Sequence, residues 1–374
     1  MASAQTSQKV APHSVPVRTL PRNERIEAEI RQKMAEICQY QHLSSSLFPL
    51  NAVLIPPRVL VNIHHPGPDD PIQYIPTLFQ SLPPLQEAPG LTADLPYPSL
   101  PLEKVLQWSN RIAVCGVPGA GKTTMLSDLV TRISSANPDL ASLKDHLPVY
   151  AHCRDLNFAS ANRNDALSPL AGYLSRVNKR RSLDAYQATL QSACQDGTLI
   201  LFLDGLDELA PANSNQAMQW LQRVFKEYPA LKVVTTTVPH YTPSLTSLGF
   251  EEYPVAPWTG AEKKAFISKF EAAWFSSFQH AEETALIKSW LLTSELPSSP
   301  LSVTLACWSA FSGNSIALEG TAIFDPYLSV TLSHPVEKST LSSIALAMVN
   351  SKDAGLSASE LESFLSRDPL IKSN

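Results

Sequence analysis

The rhythm of apolar and polar positions changes several times along the chain. Residues 1–20 are polar with scattered prolines and are expected to be disordered. From Asn23, the residues Ile26, Ile30, Met34 and Ile37 recur at helical spacing with charges between them, which predicts a helix with one face packed on its own domain. Two β-prone runs follow, Ala52–Ile55 and Val59–Ile63, broken by Pro56-Pro57. Residues 64–101 form a proline-rich tract, and about half of the 31 prolines precede residue 111, as expected of an extended connector. After Leu102 the pattern alternates between short apolar runs and helical segments. Strands are predicted at Arg111–Cys115, His146–Cys153, Thr198–Leu203 and Leu231–Thr236, with a short one at Glu251–Val255 and a helix at Met218–Tyr228. That alternation predicts an α/β domain, a parallel sheet flanked by helices whose ligands sit at the carboxyl ends of the strands. Beyond it, Thr259 and Glu262 form a capping box ahead of Phe266, Phe270, Ala273 and Trp274 on one helical face, and helices are predicted at Glu282–Thr293 and Leu301–Phe311.

Two stretches carry chemistry. The apolar run Ile112–Cys115 leads into Gly116-Val-Pro-Gly-Ala-Gly-Lys-Thr-Thr124 and then into a helical pattern, the strand–loop–helix setting of a phosphate-binding loop. Backbone N–H groups of Gly116, Val117, Pro118, Gly119, Ala120 and Gly121 (proline excepted) and the helix start would cradle phosphates. Lys122 would supply charge to the terminal phosphates, Thr123 a hydroxyl for magnesium, and Thr124 lies on the first helical turn. In Leu199–Leu209 a buried run ends in Asp204, placing a carboxylate at a strand tip beside Thr123 as a second magnesium contact. Asp207 and Glu208 follow within reach of a water attacking the terminal phosphate. The expected cofactors are therefore ATP or GTP and Mg2+.

Charge and cysteines narrow the class. A net charge of −5 gives no global basic field, so nucleic acid is not indicated, and Lys179-Arg180-Arg181 reads as a solvated loop. Cys38, Cys115, Cys153, Cys194 and Cys307 are widely spaced, without a C-x-x-C pair, which fits small core residues in a reducing compartment better than a zinc site or a disulfide framework. His64-His65 has no partner at ligand spacing and reads as a loop dipeptide. With no apolar stretch long enough for a membrane span and no signal peptide, a cytoplasmic location is expected.

The Asp204-Gly-Leu-Asp-Glu-Leu209 spacing resembles the Walker B motif of the NACHT family of STAND-type signalling NTPases, in which a small residue follows the first acid and the acidic pair comes three positions later. Leu147–Leu156 is similar to that family's second strand, Val233–Pro239 to its sensor strand, and Ser298–Cys307 to the helical segment whose proline, here Pro300, lies near the nucleotide base. The resemblance implies a P-loop NTPase core at 102–256, a helical subdomain at 257–335 and the start of a winged-helix domain at 336–374. Residues 1–101 are left as an N-terminal region of unassigned role. It further implies a slow, nucleotide-driven switch that self-oligomerises, in bacterial signalling or antiviral defence, with trigger and effector unspecified. Trp258 is open to base stacking or to core packing. The sensor-strand arginine is replaced by Val238, which implies slow turnover. The family's winged-helix histidine has no good match (His334 precedes the region), so the chain reads as truncated. Two other classes compete. A mechanical ATPase of AAA+ type should have its second acid directly after Asp204, where Gly205 stands, and the other is a scaffold with nucleotide as a structural ligand. A small GTPase would need an Asn-Lys-x-Asp motif, and none occurs.

Overall fold

A computed structural model describes residues 24–61, 99–160, 165–179, 183–239, 242–278, 284–293, 299–312, 321–331, 338–350, 362–363 and 366. The expectations for residues 1–20, for the proline tract with His64-His65, for Arg180-Arg181 and for His334 lie outside them, as does most of the expected winged-helix start.

In chain order the elements are α1 (Glu24–Cys38), α2 (Leu50–Val53), β1 (Val59–Leu60), β2 (Ser99–Leu100), α3 (Leu102–Val105), β3 (Arg111–Cys115), α4 (Lys122–Ser134), β4 (Leu147–His152), α5 (Ser168–Val177), α6 (Leu183–Gln195), β5 (Leu199–Asp204), α7 (Pro211–Glu227), β6 (Lys232–Thr237), α8 (Thr242–Thr246), β7 (Glu251–Pro254), α9 (Gly260–Phe278), α10 (Thr284–Thr293), α11 (Pro300–Phe311), α12 (Asp325–Thr331) and α13 (Lys338–Asn350). Strands β4-β5-β6-β3-β7 form one parallel sheet in that order. The five predicted strands are all present, each within a residue of its expected ends. Helix α7 starts seven residues earlier than expected, with Pro211 in its first turn, where a missing N–H costs nothing.

Helix α1 sits inside the sheet's core. Ile30, Met34 and Cys38 are fully buried in the same cluster as the strands, and α1 lies against α4 and β4. Arg31 ties it down by donating to the Ile133 carbonyl at 3.1 Å. Helix α1, which precedes the expected boundary at residue 101, shares the sheet's core.

The Ala52–Ile55 run is not a strand. Leu50–Val53 makes one helical turn after Pro49, burying Leu50 and Val53. A short apolar run does not by itself distinguish a strand from a buried helical turn. Phe48, Val53 and Ile55 enter a second core formed by α9, α10 and α11 around Phe270, Trp274, Trp308 and Phe311. Of Val59–Ile63, Val59 and Leu60 are strand, paired antiparallel with β2, and Val59 also bridges Val255 beside β7. The segment before the phosphate loop is therefore stitched to both bodies. Arg58 reinforces this with two hydrogen bonds to the Glu262 carboxylate, at 2.9 and 3.0 Å, and a third to Ser99.

Candidate functional site

The loop after β3 takes its shape from two glycines in the left-handed region, Gly119 at φ +80° and Gly121 at φ +92°. Helix α4 begins directly after Gly121, without a side-chain cap or an acidic residue in its first turn. Its leading N–H groups and positive end are left to an anion. Lys122 folds back over the loop, donating to the carbonyls of Gly116 at 2.6 Å and Val117 at 3.3 Å. Burial pushes its ammonium pKa down, against the pull of Asp207 and Asp204.

Across the sheet order, β6 lies between β3 and β5, and its Thr236 reaches Asp204. Asp204 is 3% exposed and its carboxylate is held from both sides. The Thr236 hydroxyl donates to Oδ1 at 2.6 Å and accepts from the Gly205 N–H at 2.9 Å, while the Tyr150 hydroxyl donates to Oδ2 at 3.0 Å. Burial, with the Asp204 charge adding to it, pushes the Tyr150 phenol pKa far above its usual range, so it stays a donor. A carboxylate has about four lone-pair sites, which leaves two for a cation or its water shell.

Gly205 sits at φ +68°, and a Cβ there would lie 2.5–2.6 Å from the His152 ring. That close approach lets His152 Nε2 stand 3.3 Å from Glu208 Oε2. The hydrogen bond from His152 holds the Glu208 carboxyl pKa below its usual value. Asp207 differs: burial raises its carboxyl pKa, opposed by a backbone hydrogen bond and by Lys122. Two adjacent acids thus have pKa values pushed in opposite directions.

The loop, Lys122, Asp204, Asp207, Glu208 and Thr236 line one cavity of about 450 Å3, within the range of small-molecule sites. Of the predicted site residues, Pro118 to Thr124, Asp204, Asp207, Glu208 and Pro300 line it together. Gly116 and Val117 stand behind, as the carbonyl partners of Lys122. Pro300 opens α11, capped by the Ser299 hydroxyl, and lies 3.9 Å from where a Cβ on Gly121 would be. Its role as a helix-start residue and its place at the cavity therefore coexist. Trp258 packs on Phe266 at 4.9 Å between centroids and also lines the cavity. Val238 follows β6 half-buried, and Lys122 is the one lysine or arginine among the described residues that line the cavity.

Sequence reasoning missed three parts. Tyr150 and Thr236 were inside recognised strands, and hydroxyl-bearing residues on otherwise apolar buried strands were the available signal. The helical region's contact was missed as well: the Leu301 N–H donates to the Gly119 carbonyl at 3.2 Å, and its side chain covers that glycine. The third part is the wall supplied by residues between Gln41 and Pro57, a stretch given no role.

Residues 110–273 match the family model described as NACHT domain. Over that span the chain is similar to a NACHT domain. With the five-stranded parallel sheet and its flanking helices it is a P-loop NTPase fold, a nucleotide-binding module. The NACHT match ends within α9, so α10 to α13 lie beyond it. Among solved structures, the S. cerevisiae Hsp104–ADP complex aligns with 73% of this chain and 35% of that one, at 14% identity and a TM-score of 0.38. The chain thus spans about a third of that protein's length. No curated protein sequence matches the chain. For magnesium, the hydroxyl of Thr123 and the carboxylate of Asp204 are the hard oxygen donors the ion takes. No group of three or more His, Cys, Asp or Glu that could hold a metal ion occurs among the described residues. No helix among them is long and apolar enough to cross a membrane.

Proposed function

We propose that the protein is a nucleotide-dependent switch of the NACHT type. It binds ATP or GTP with Mg2+, hydrolyses slowly, and acts through nucleotide-dependent self-association in cytoplasmic signalling or antiviral defence. The observation that carries this reading is the convergence of a glycine-shaped loop, a clamped strand-tip carboxylate and the start of α11 on one cavity. A nucleotide seated there touches the sheet body through the loop and the helical body through Pro300 and Leu301, so its presence biases how the two bodies sit.

In this reading the phosphates occupy the uncapped start of α4, and Lys122 exchanges its loop carbonyls for phosphate oxygens. Thr123 and Asp204 hold the ion, with Tyr150 and Thr236 fixing the direction in which Asp204 presents its oxygens. Bound Mg2+ supplies charge neutralisation at the phosphates. Asp207 and Glu208 orient the attacking water, and His152 fixes Glu208. With Val238 in place of a cation, the charge developing on the terminal phosphate lacks one stabilising partner, which favours holding the nucleotide over consuming it.

The test compares wild type with Lys122→Ala and Asp207→Ala. Lys122→Ala should emerge from purification without nucleotide, whereas Asp207→Ala should retain it and release less phosphate. If neither variant changes bound nucleotide or phosphate release, the reading is wrong.

A further inference from the structure

The freedom of a metal-binding carboxylate to move helps decide which ions it suits, and Asp204 has little. Strand β5 lies between β4 and β6, so Tyr150 reaches Asp204 from one side and Thr236 from the other. Each hydroxyl has a single proton and gives it to a different carboxylate oxygen, Thr236 to Oδ1 and Tyr150 to Oδ2. Rotating or tilting the carboxylate therefore breaks at least one charge-assisted bond, in a buried place where few waters can replace it.

The two donors are themselves fixed. The Thr236 hydroxyl also accepts from the Gly205 N–H. Tyr150 is buried, and its own N–H donates to Met34 Sδ at 3.2 Å, so helix α1 holds β4 at this residue. In the register of the sheet Asp204 stands opposite His152, and Tyr150 opposite Phe202. Tyr150 is thus two positions short of Asp204 on the same face, and only a long side chain spans that offset. A phenol does so, and with few rotatable bonds it keeps its hydroxyl in one place.

We propose that Tyr150 sets the metal preference of this site, selecting Mg2+ over Ca2+ by denying Asp204 the movement that the larger ion requires. The proposal rests on the nucleotide-binding reading above and on the place of Asp204 in it. Mg2+ is small, keeps several waters and is held through one or two carboxylates plus phosphates. Ca2+ takes more oxygens at longer distances, in a flexible shell that its ligands must shift or chelate to fill. A carboxylate tied at both oxygens meets the first demand and resists the second. Tyr150 does not line the cavity, so it acts as a positioning residue, through Asp204 alone.

The experiment titrates the full chain, freed of nucleotide, with ATP and with GTP by calorimetry, once in excess Mg2+ and once in excess Ca2+. The quantity read is the ratio of the two affinities. Wild type should bind its nucleotide about tenfold more tightly with Mg2+. Tyr150→Phe loses only the hydroxyl and should bring the two ions to within about threefold. Tyr173→Phe removes another buried phenol hydroxyl, on α5 and away from the cavity, and should keep the wild-type ratio. A partly unfolded variant loses sites for both ions alike, so the ratio does not report stability. Equal affinities in wild type overturn the proposal. A wild-type ratio that survives in Tyr150→Phe also overturns it, since the bond to Oδ2 then restrains nothing the ion senses. A ratio lost in Tyr173→Phe as well overturns it in favour of a general loosening of the core. Failure of both nucleotides to bind with either ion overturns it together with the nucleotide reading.

Discussion

Gly205 is the residue whose identity most directly joins motif to geometry, and Gly205→Ala tests that link. Two costs add. A residue with a Cβ in the left-handed region costs about 1–2 kcal/mol, and Gly205 has φ +68°. The added methyl would also lie 2.5 Å from His152 Cε1 and 2.6 Å from Nε2. Normal carbon contact is about 3.5 Å, so the ring must retreat by about 1 Å. That movement breaks the His152–Glu208 pair, but the Glu208 side chain is 53% exposed, and solvent screening limits the pair to about 0.2–1 kcal/mol. The expected total is about 1–3 kcal/mol of destabilisation. Gly172, inside α5, is the internal contrast: nothing lies within 4 Å of a Cβ there, and its φ is not positive. Gly172→Ala should stabilise by about 0.5–1 kcal/mol through lower unfolded-chain entropy. Urea unfolding of wild type and both variants gives the midpoints, and phosphate release reports the displaced Glu208. If Gly205→Ala unfolds with wild type while Gly172→Ala shifts upward, the close approach of His152 is not what the glycine accommodates.

Two further predictions concern the same cavity. In Gly119→Ala the methyl would meet Leu301 at 2.7–2.8 Å, which pushes α11 off the loop. Bound fluorescent nucleotide should then leave about tenfold faster in a stopped-flow chase, and an unchanged rate would mean that Leu301 does not retain the ligand. For Asp207, burial raises the folded-state carboxyl pKa above its ordinary 3.8. A raised value gives stability that is complete below 3.8 and lost as pH rises through the folded value. Asp207→Asn should therefore stabilise the ligand-free protein modestly at neutral pH, and the gain should vanish below pH 3.8. Urea midpoints at the two pH values check this, and a gain of equal size at both would show that ionisation of Asp207 is not its origin.

The sheet was legible because each strand is a bounded apolar run and both chemical motifs sit at strand ends. Asp204 could be placed at a strand tip from the five apolar residues before it. The hydroxyls that hold it could not be found that way. Tyr150 and Thr236 meet Asp204 only because β4, β5 and β6 are neighbours in space, and strand order is not written in the periodicity of any one strand. The Ala52–Ile55 run misled for a related reason. Its side chains are apolar because Val53 and Ile55 enter a core built by helices more than two hundred residues later, and that partner leaves no local trace.

The route of the chain from Glu24 to Leu60 has a mechanical consequence. It is anchored first in the sheet's core by Ile30, Met34 and Cys38, then in the helical core by Phe48, Val53 and Ile55, and it is riveted again at Arg58 to Glu262. The short span between the first two anchors carries His42 along the cavity. Any rotation of one body against the other must tighten or slacken that span. The same span would then carry strain between the cavity wall and α1, because one stretch of chain is fixed in both cores.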